Sequence, residues 1–332
     1  MAELAREKAA VIEGHAIKKK DMADLPAQRA SNPVDAAGAR ARFFNSGNAF
    51  NIKLPPVPAR DFADEARRAL AADAPTGFIV CDQAEAMGCA FPATTPLMLA
   101  RYAVIAAGET LVSDFVATGS IWYVIDGRGT SAFNSEVLTW GPGDIFLLPG
   151  GSVAIHTAGE RAVLWLVSNE PQLALDAALP HPPAGGPIEP VHYPAAEIER
   201  QIGIIDEMTT NETTSGLALI FSSDRLEANR NIMPTLTLSL NTLPAADHQR
   251  AHRHNSAAIT LAVRGDACFS MVDGNRCDWS AWGTLVTPPG APHSHHNHGD
   301  RRAMFLIVQD GGLHYHARTM GFSFLDMERN DS

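Results

Sequence analysis

The chain has 332 residues, of which 45% are apolar and 19% are charged, and its formal net charge is −11. This is an ordinary globular composition, which excludes collagen-like, disordered and disulfide-scaffold proteins. The acidic balance argues against a nucleic-acid partner, and no run approaches the roughly 18 apolar residues of a spanning helix, which argues against a membrane partner.

The composition of residues 1–94 indicates a helical and irregular N-terminal extension. A helical pattern over residues 61–72 follows the Pro-rich segment 54–60, which interrupts regular structure. The first residues lack the basic-then-apolar order of a signal peptide, so we expect a cytoplasmic location.

From residue 95 the chain consists of short apolar or alternating runs separated by Gly, Pro and Asp. Such runs predict antiparallel strands in a sandwich or barrel, and those of residues 95–171 predict a first β-domain. Residues 172–215 are rich in Pro, Gly and polar residues and predict a connection. Strand-like runs resume over residues 216–325 and predict a second β-domain.

The second β-domain repeats the first. Aligning Gly127 with Gly265 brings Trp140 opposite Trp279 after one inserted residue. Because an internal repeat determines the architecture, we expect two copies of one β-domain. The shared order of strand, Gly turn, strand, Pro-Gly-Asp and strand resembles the cupin double-sheet jelly roll, which implies an all-β bicupin.

Histidines are concentrated near the C-terminus, where nine of the thirteen fall within 69 residues. Residues i and i+2 of a strand project from the same side, so His252 and His254 can both point into the second barrel. His293, which lies 39 residues further on, would complete three imidazole ligands with open coordination positions. The alternative is a set of surface or capping histidines in a loop that binds metal fortuitously.

The first copy is an internal control for this metal site. The alignment places Asp114, Val116 and Ala154 opposite the three histidines, and two apolar side chains cannot be ligands. We therefore expect a metal-free first barrel and one metal ion per chain. His156 aligns with His295 but has no partner histidines, which favours a structural role.

Ligand types alone leave the metal open between Fe(II) and Zn(II). Many cupins add a Glu about four residues after the His-x-His pair, but residues 257–259 are Ala-Ala-Ile. A site of three neutral histidines leaves a divalent ion with its full charge, which favours an anionic chelating substrate.

The segments around the histidines resemble gentisate 1,2-dioxygenase and its relatives. The similar segments are HRHNSAA, VDGNRCDW, TPPGAPHSHH and the QDG of residues 309–311. The relatives include salicylate, 5-nitrosalicylate and 1-hydroxy-2-naphthoate dioxygenases, which are bicupins that cleave an aromatic ring with Fe(II) held by three histidines. The resemblance implies one Fe(II) per chain, held by His252, His254 and His293.

Four further residues gain candidate roles from the resemblance. His295 and Asp310 match polar groups of the family's site, which implies catalytic roles near the substrate. Thr260 is a candidate substrate-binding residue, since it stands where the family commonly has an Arg that holds the substrate carboxylate. Arg318 is a candidate for the missing carboxylate clamp. Structural roles at a strand end, in a turn or on the surface are the alternatives.

The resemblance implies an extradiol-type dioxygenase of a salicylate-type aromatic acid, which inserts O2 between the hydroxyl-bearing and carboxyl-bearing ring carbons. Salicylate and gentisate are candidate substrates, and the missing Arg and the empty first barrel favour 5-nitrosalicylate. The alternatives are a non-oxygenase isomerase or hydrolase that uses Zn, Mn or Ni, and a non-catalytic ligand-binding cupin. The family's habits also imply a homo-oligomer, either a tetramer or a dimer.

Overall fold

A computed structural model describes residues 21–50, 52–208 and 216–325 of the chain. The chain divides into two compact units, Met1–Leu54 and Pro55–Ser332. The first 20 residues of the predicted extension and residues 209–215 of the predicted connection lie outside the described residues.

The first unit contains short elements. Strands β1 (Gln28–Arg29) and β2 (Arg42–Phe43) pair antiparallel, and a 3₁₀ turn spans Met22–Asp24. Helix α1 (Ala36–Arg40) begins after Asp35, whose carboxylate accepts a hydrogen bond from a backbone N–H of the first turn at 2.6 Å. The helical and irregular character predicted for this segment matches these elements.

The first barrel consists of two antiparallel sheets. Its strands are β3 (Gly77–Cys81), β4 (Leu99–Ile105), β5 (Thr110–Ser113), β6 (Gly119–Asp126), β7 (Gly129–Phe133), β8 (Glu136–Trp140), β9 (Ile145–Pro149), β10 (Ala154–Ala158), β11 (Ala162–Ser168) and β12 (Val191–Tyr193). The larger sheet has the order β12-β9-β6-β11-β4-β3, and the smaller sheet has the order β5-β10-β7-β8.

The second barrel also consists of two antiparallel sheets. Its strands are β13 (Leu217–Phe221), β14 (Thr237–Leu243), β15 (Asp247–His248), β16 (His252–His254), β17 (Ala258–Arg264), β18 (Cys268–Val272), β19 (Asn275–Asp278), β20 (Thr284–Thr287), β21 (His293–Asn297), β22 (Ala303–Gln309) and β23 (Phe322–Phe324). The larger sheet has the order β13-β14-β22-β17-β20. The smaller sheet has the order β19-β18-β21-β16-β23, and β15 pairs with β21.

The two barrels repeat one strand order. In the larger sheets, β13-β14-β22-β17-β20 corresponds to β3-β4-β11-β6-β9, and in the smaller sheets β16-β21-β18-β19 corresponds to β5-β10-β7-β8. Strand β23, which flanks β16, and strand β15 are additions of the second barrel. The predicted all-β bicupin is therefore confirmed.

The remaining helices are short connectors. They are α2 (Ala63–Leu70), α3 (Ala84–Met87), α4 (Glu170–Leu175), α5 (Ala195–Asp206), α6 (Gly311–Ala317) and a 3₁₀ helix at Asp224–Asn229. Across the described parts of the chain, none of the helices has the length and apolar character needed to cross a membrane.

Three segments outside the predicted β-domains complete the barrel sheets. Strand β3 pairs with β4, and β12, from the predicted connection, pairs with β9. Asp61 forms a bridge with Leu285 at the edge of β20. The five-residue β3 and the three-residue β12 are too short to show a clear alternation, which explains why the composition placed these segments outside the barrels.

The two larger sheets pack against each other and enclose the main hydrophobic core. Tyr102 and Trp165 of the first barrel and Leu238 and Leu240 of the second are buried in this core. The hydroxyl of Thr284 lies 2.7 Å from the Tyr102 hydroxyl and accepts a hydrogen bond from the indole N–H of Trp165 at 2.9 Å. These contacts join the barrels through the faces that look away from their interiors.

Large side chains fill the interior of the first barrel. Trp122 is fully buried, and its ring stacks on Phe146 at 5.6 Å and contacts the His156 ring at 4.4 Å. Arg101 and Glu170 form an ion pair of 2.5 Å beside this core. This barrel therefore has a packed aromatic interior.

Candidate metal centre

Two neighbouring strands bring three histidines to one face of the second barrel. His252 and His254 are buried on β16, while Arg253 between them is exposed. His293 is the first residue of β21 and lies directly opposite His252 in the register. The structure therefore brings together the three ligands predicted from the sequence.

The three imidazoles have the spacing of a metal site. One ligand atom from each ring lies within 4.8 Å of the others. The ring of His293 lies 4.2 Å from that of His252 and 4.7 Å from that of His254, measured between centroids. Within the described ranges, this is the only group of three or more His, Cys, Asp or Glu with such spacing.

Each ring is held in place through its Nδ1 atom. In His252, His254 and His293, Nδ1 lies 2.8, 2.9 and 2.9 Å from a backbone carbonyl oxygen two residues away in the chain. A carbonyl oxygen only accepts, so Nδ1 carries the proton in all three rings and Nε2 keeps its lone pair. Three neutral Nε2 donors on one face fit a divalent transition metal.

A tight turn places His293 beside β16, the strand that carries the other two histidines. The N–H of Gly290 donates a hydrogen bond to the carbonyl oxygen of His254 at 2.7 Å. Gly290 has φ +75°, a left-handed conformation that favours glycine. The Pro-Pro-Gly segment therefore ties the start of β21 to β16.

Burial keeps the three rings neutral. Desolvation lowers the pKa of His252, brings the pKa of His254 to about 4 and brings the pKa of His293 to about 2. Since protons do not compete for Nε2 at neutral pH, the rings are in the state that a metal requires.

A cavity of about 450 Å³ is lined by the three histidines and by the inner face of the larger sheet. Along β14, the polar residues Thr237, Ser239 and Asn241 line this cavity, while Leu238 and Leu240 face the core between the barrels. The alternation of this strand therefore separates a polar cavity wall from an apolar packing face.

His295 lines the same cavity and is oriented by a chain of hydrogen bonds. The indole N–H of Trp279 donates to the Ser270 hydroxyl oxygen at 2.8 Å, and that oxygen lies 2.7 Å from His295 Nδ1. Because the buried Ser270 hydroxyl has no other acceptor among the described residues, we assign it as donor to Nδ1, which places the His295 proton on Nε2. Burial lowers the pKa of His295 to about 3, so the ring is a neutral donor.

Thr260 also lines the cavity, but Asp310 and Arg318 do not. The Thr260 hydroxyl oxygen is buried and has no hydrogen-bond partner in the described part of the chain. Asp310 accepts a hydrogen bond from the N–H of Ala257 at 2.8 Å, and burial raises the pKa of its carboxyl to about 6. Arg318 is exposed at the end of α6 and lines an adjoining cavity of about 370 Å³.

The first barrel has other residues at the ligand positions. Ser113 lies opposite Ala154 in the first barrel, as His252 lies opposite His293 in the second. Phe115, two residues after Ser113, therefore corresponds to His254. The sequence alignment placed Asp114 and Val116 at two of these positions, which is wrong by one residue. A shift of one residue exchanges the inward and outward sides of a strand, so the inward residues are Ser113 and Phe115.

His156 of the first barrel is bonded through both ring nitrogens. Its Nδ1 lies 2.8 Å from the Ser131 hydroxyl, which accepts from the Trp140 indole at 2.9 Å. Its Nε2 lies 2.9 Å from the Ser113 hydroxyl. With both nitrogens engaged in a buried network, His156 has a structural role.

Sequence reasoning missed most polar residues of the cavity wall, among them Arg230, Asn231 and Gln249. Arg230 is the only Lys or Arg among the described residues that line the cavity. It lies in the loop before β14, where no motif marks a site. The one available signal is for Gln249, which precedes the first ligand by three residues.

The fold and the histidine centre define a bicupin with a candidate metal site in its second barrel. Residues 240–309 match the cupin domain family. The structure is similar to that of salicylate 1,2-dioxygenase from Pseudaminobacter salicylatoxidans, with a TM-score of 0.69 and 13% identity over 85% of this chain and 92% of that one. This likeness shows that the two proteins share a fold.

Curated relatives match about a quarter of this chain in sequence. Gentisate 1,2-dioxygenase of Ralstonia sp is 30% identical over 79 residues, which are 24% of this chain and 22% of the relative. The 5-aminosalicylate 1,2-dioxygenase of Comamonas sp is 29% identical over 79 residues, which are 24% of this chain and 21% of the relative. The chain thus spans about a fifth of the length of these relatives. The predicted resemblance to the gentisate dioxygenase-like bicupins is confirmed.

Proposed function

We propose that this protein is an extradiol-type, Fe(II)-dependent 1,2-dioxygenase that cleaves the ring of a salicylate-type aromatic acid. The bond that breaks joins the hydroxyl-bearing and carboxyl-bearing ring carbons. Both atoms of O2 enter the ring-opened product, and the substrate supplies the electrons, so no external reductant is required. The observation that carries this proposal is the set of three neutral imidazoles in the cavity, each oriented through Nδ1.

The Nε2 atoms of His252, His254 and His293 would hold the iron. When bound, Fe(II) supplies Lewis acidity and one-electron redox chemistry to the substrate and O2. The three ligands are neutral and leave the charge of a divalent ion uncompensated, which favours an anionic chelating substrate. The phenol and carboxylate of a salicylate-type acid have this character.

The cavity wall offers donors for the anionic end of the substrate. His295 presents Nε2–H, and Thr260 and Arg230 are polar residues of the same wall that we assign to substrate binding. Donors that are already in place stabilise charge without reorganisation during the reaction. Arg318 lines the adjoining cavity. We therefore assign Arg318 a role in attracting the carboxylate as the substrate enters, and not in holding the carboxylate of the bound substrate.

Asp310 acts in this proposal as a positioning residue. Its carboxylate accepts from the N–H of Ala257, immediately before β17, the strand that carries Thr260. It therefore acts on the cavity wall through the backbone. Salicylate, gentisate and 5-nitrosalicylate remain the candidate substrates, and a homo-oligomer remains a prediction.

The test combines metal analysis with oxygen uptake. Protein purified without added metal is expected to contain about one iron per chain. With at least one substituted salicylate or gentisate, it should consume O2 and substrate in equal molar amounts. His252→Ala should lose both the iron and the activity. The matched control is His248→Ala, which changes an exposed histidine of the same sheet outside the cavity and should keep both.

Two results would overturn the proposal. One zinc per chain with no O2 uptake on any of these acids would indicate a non-oxygenase metal enzyme. Full iron content in His252→Ala would exclude the three-histidine site. Mass spectrometry of the product, with gain of both oxygen atoms from labelled O2, separates ring cleavage from uncoupled oxygen consumption.

A further inference from the structure

The inner face of β22 carries a polar side chain beside the three histidines. Along this strand Ile307 and Gln309 line the cavity of the second barrel, while Leu306 and Val308 lie in the core between the barrels. The amide nitrogen of Gln309 lies 3.3 Å from Nε2 of His254. Because Nε2 is the atom through which His254 would hold the iron, the end of the Gln309 side chain lies next to the metal position.

The backbone fixes Gln309 in this place. Gln309 is the last residue of β22 and lies opposite Ala258 of β17 in the register. The next residue, Asp310, accepts from the N–H of Ala257 at 2.8 Å through its carboxylate and donates its own N–H to the Ala257 carbonyl at 3.4 Å. Since Ala257 follows His254 by only three residues, these bonds hold Gln309 at a defined position relative to that histidine.

The distance of 3.3 Å between the Gln309 amide and His254 Nε2 suits two ligands of one ion. Ligand atoms that each lie about 2.1 Å from a metal are about 3.0 Å apart in an octahedral site and about 3.4 Å apart in a tetrahedral site. The oxygen of a Gln side chain is an established type of metal ligand. The amide therefore reaches the coordination sphere if its oxygen takes the inner position.

A half-turn of the amide places the oxygen there. The N–H group of Gln309 donates to the lone pair of His254 Nε2. When a divalent ion holds that lone pair, the amide hydrogens would face a cation, which repels them and attracts the amide oxygen. The half-turn also brings the amide nitrogen to the Ser256 hydroxyl, which lies 3.4 Å from the Gln309 oxygen and can accept a hydrogen bond.

The first barrel has a different side chain at the matching position. Leu166 and Ile307 correspond, so Ser168, two residues after Leu166, corresponds to Gln309. The Ser168 hydroxyl donates to the carboxylate of Glu170 at 2.6 Å. A long amide therefore occupies this position in the barrel with the three histidines, and a short hydroxyl occupies it in the barrel that lacks them.

We propose that Gln309 is a fourth ligand, through its amide oxygen, of the metal ion held by His252, His254 and His293. This inference rests on the proposed function, which supplies the ion. The oxygen comes from β22 and takes the place of the Glu that is missing from residues 257–259. Because an amide is neutral, the ion keeps its full charge for an anionic chelating substrate.

Metal binding tests the role of the amide, with Co(II) alone as the probe and a competing chelator as the reporter. Gln309→Leu should weaken Co(II) binding by at least about tenfold, since groups that only support a ligand already contribute that much. Gln309→Glu has the same length and adds a negative charge beside the ion, so it should bind Co(II) at least about tenfold more tightly. The Glu variant covers the case where the Leu variant does not fold.

The matched control is Gln201→Leu, which removes an amide from α5 outside the cavity and should bind Co(II) like the unaltered protein. The visible absorption of Co(II), which depends on its ligands, should change in Gln309→Leu and stay the same in Gln201→Leu. Unchanged Co(II) binding in both Gln309 variants would overturn the inference.

A crystal structure of the Co(II)-loaded protein without substrate separates a ligand from a side chain that only supports His254. The amide oxygen of Gln309 should lie about 2.1 Å from the ion. An amide nitrogen facing the ion, or a water molecule between the ion and Gln309, would overturn the inference.

Oxygen uptake by the iron-loaded protein is measured separately. Turnover of a salicylate by a protein in which Gln309 does not contact the ion would overturn this inference and leave the proposed function standing. Contact between Gln309 and the ion in a protein that consumes no O2 would overturn the proposed function and leave the fourth ligand standing. Failure of the unaltered protein to bind Co(II) or iron would overturn both.

Discussion

Trp122 of the first barrel and Thr260 of the second occupy equivalent positions on the matching strands β6 and β17. Their partners in register, Leu166 on β11 and Ile307 on β22, are also at equivalent positions. Trp122 fills the first barrel and stacks on its neighbours. Thr260 is much smaller and borders the cavity of about 450 Å³. On one scaffold, the size of a few inward side chains decides between a packed core and a binding site.

A hydrogen-bonded Trp-Ser-His chain occurs in both barrels. In the first, Trp140, Ser131 and His156 are joined, and the second nitrogen of His156 is bonded to the Ser113 hydroxyl. In the second barrel the candidate ligand His252 replaces that serine, and the corresponding ring, His295, lines the cavity. The same network therefore stabilises a core in one barrel and orients a cavity donor in the other.

The largest expected effect separates the histidines of the two barrels. His293→Ala should lose the metal and reduce activity by more than about 100-fold, since even residues that only support a ligand change metal affinity by 10–100-fold. His156→Ala in the first barrel should keep the metal. Metal analysis and oxygen uptake measure both variants, and loss of iron from His156→Ala would contradict the division of roles.

The second expected effect concerns the inward residues. Trp122→Ala should destabilise the protein by about 3–5 kcal/mol, because it opens a large cavity in a packed core. Thr260→Val should be neutral or stabilising, because it removes a buried hydroxyl without a partner. Urea unfolding compares the two, and an equal loss of stability would show that both interiors are packed alike.

A smaller effect should distinguish the two hydrogen-bonded chains. Ser131→Ala should cost about 1–3 kcal/mol of stability, because it leaves buried groups unpaired, without changing activity. Ser270→Ala should lower kcat by about tenfold, because it removes the group that fixes the His295 tautomer. Paired measurements of kcat and unfolding free energy check this, and an unchanged kcat in Ser270→Ala would exclude a role for the tautomer.

The smallest effect concerns Asp310 and its counterpart Asn169, which accepts from a backbone N–H at 2.8 Å in the first barrel. Burial raises the pKa of Asp310 to about 6, so the stabilising protonated form is lost as pH rises through that value. Asp310→Asn should therefore be more stable than the unaltered protein at pH 8. It should also lose the pH dependence between 4 and 6.

Denaturation across pH measures this difference. Asp300→Asn, which changes an exposed carboxylate, should leave the curve unchanged. A large loss of activity in Asp310→Asn would support the catalytic role that the sequence predicted, rather than the positioning role proposed from the structure.

The repeat and the grouping of the three histidines were predictable because they depend on local spacing. His252 and His254 are two residues apart, which places them on the same side of any strand. The match of Ala154 to the third ligand agrees with the registers, but the inward residue opposite it is Ser113 rather than Asp114. Short edge strands with few repeated residues do not determine a register by sequence alone.

The cavity was not predictable from the sequence. Thr237 and Ser239 alternate with Leu238 and Leu240 in β14, a pattern that ordinarily indicates a polar face in contact with water. Here the polar face lines the cavity and the apolar face packs against the other barrel. Alternation separates two faces of a strand but does not identify the surroundings of each, so the wall residue Asn231 was also missed.

The hydrogen-bonded His156 makes the first barrel a ready scaffold for protein design. Its backbone and its Trp-Ser-His chain already match those of the second barrel. Ser113→His, Phe115→His and Ala154→His would place a second ligand set, and Trp122→Thr would clear space beside it. In a duplicated fold of this kind, four substitutions should thus be enough to create a second candidate metal site.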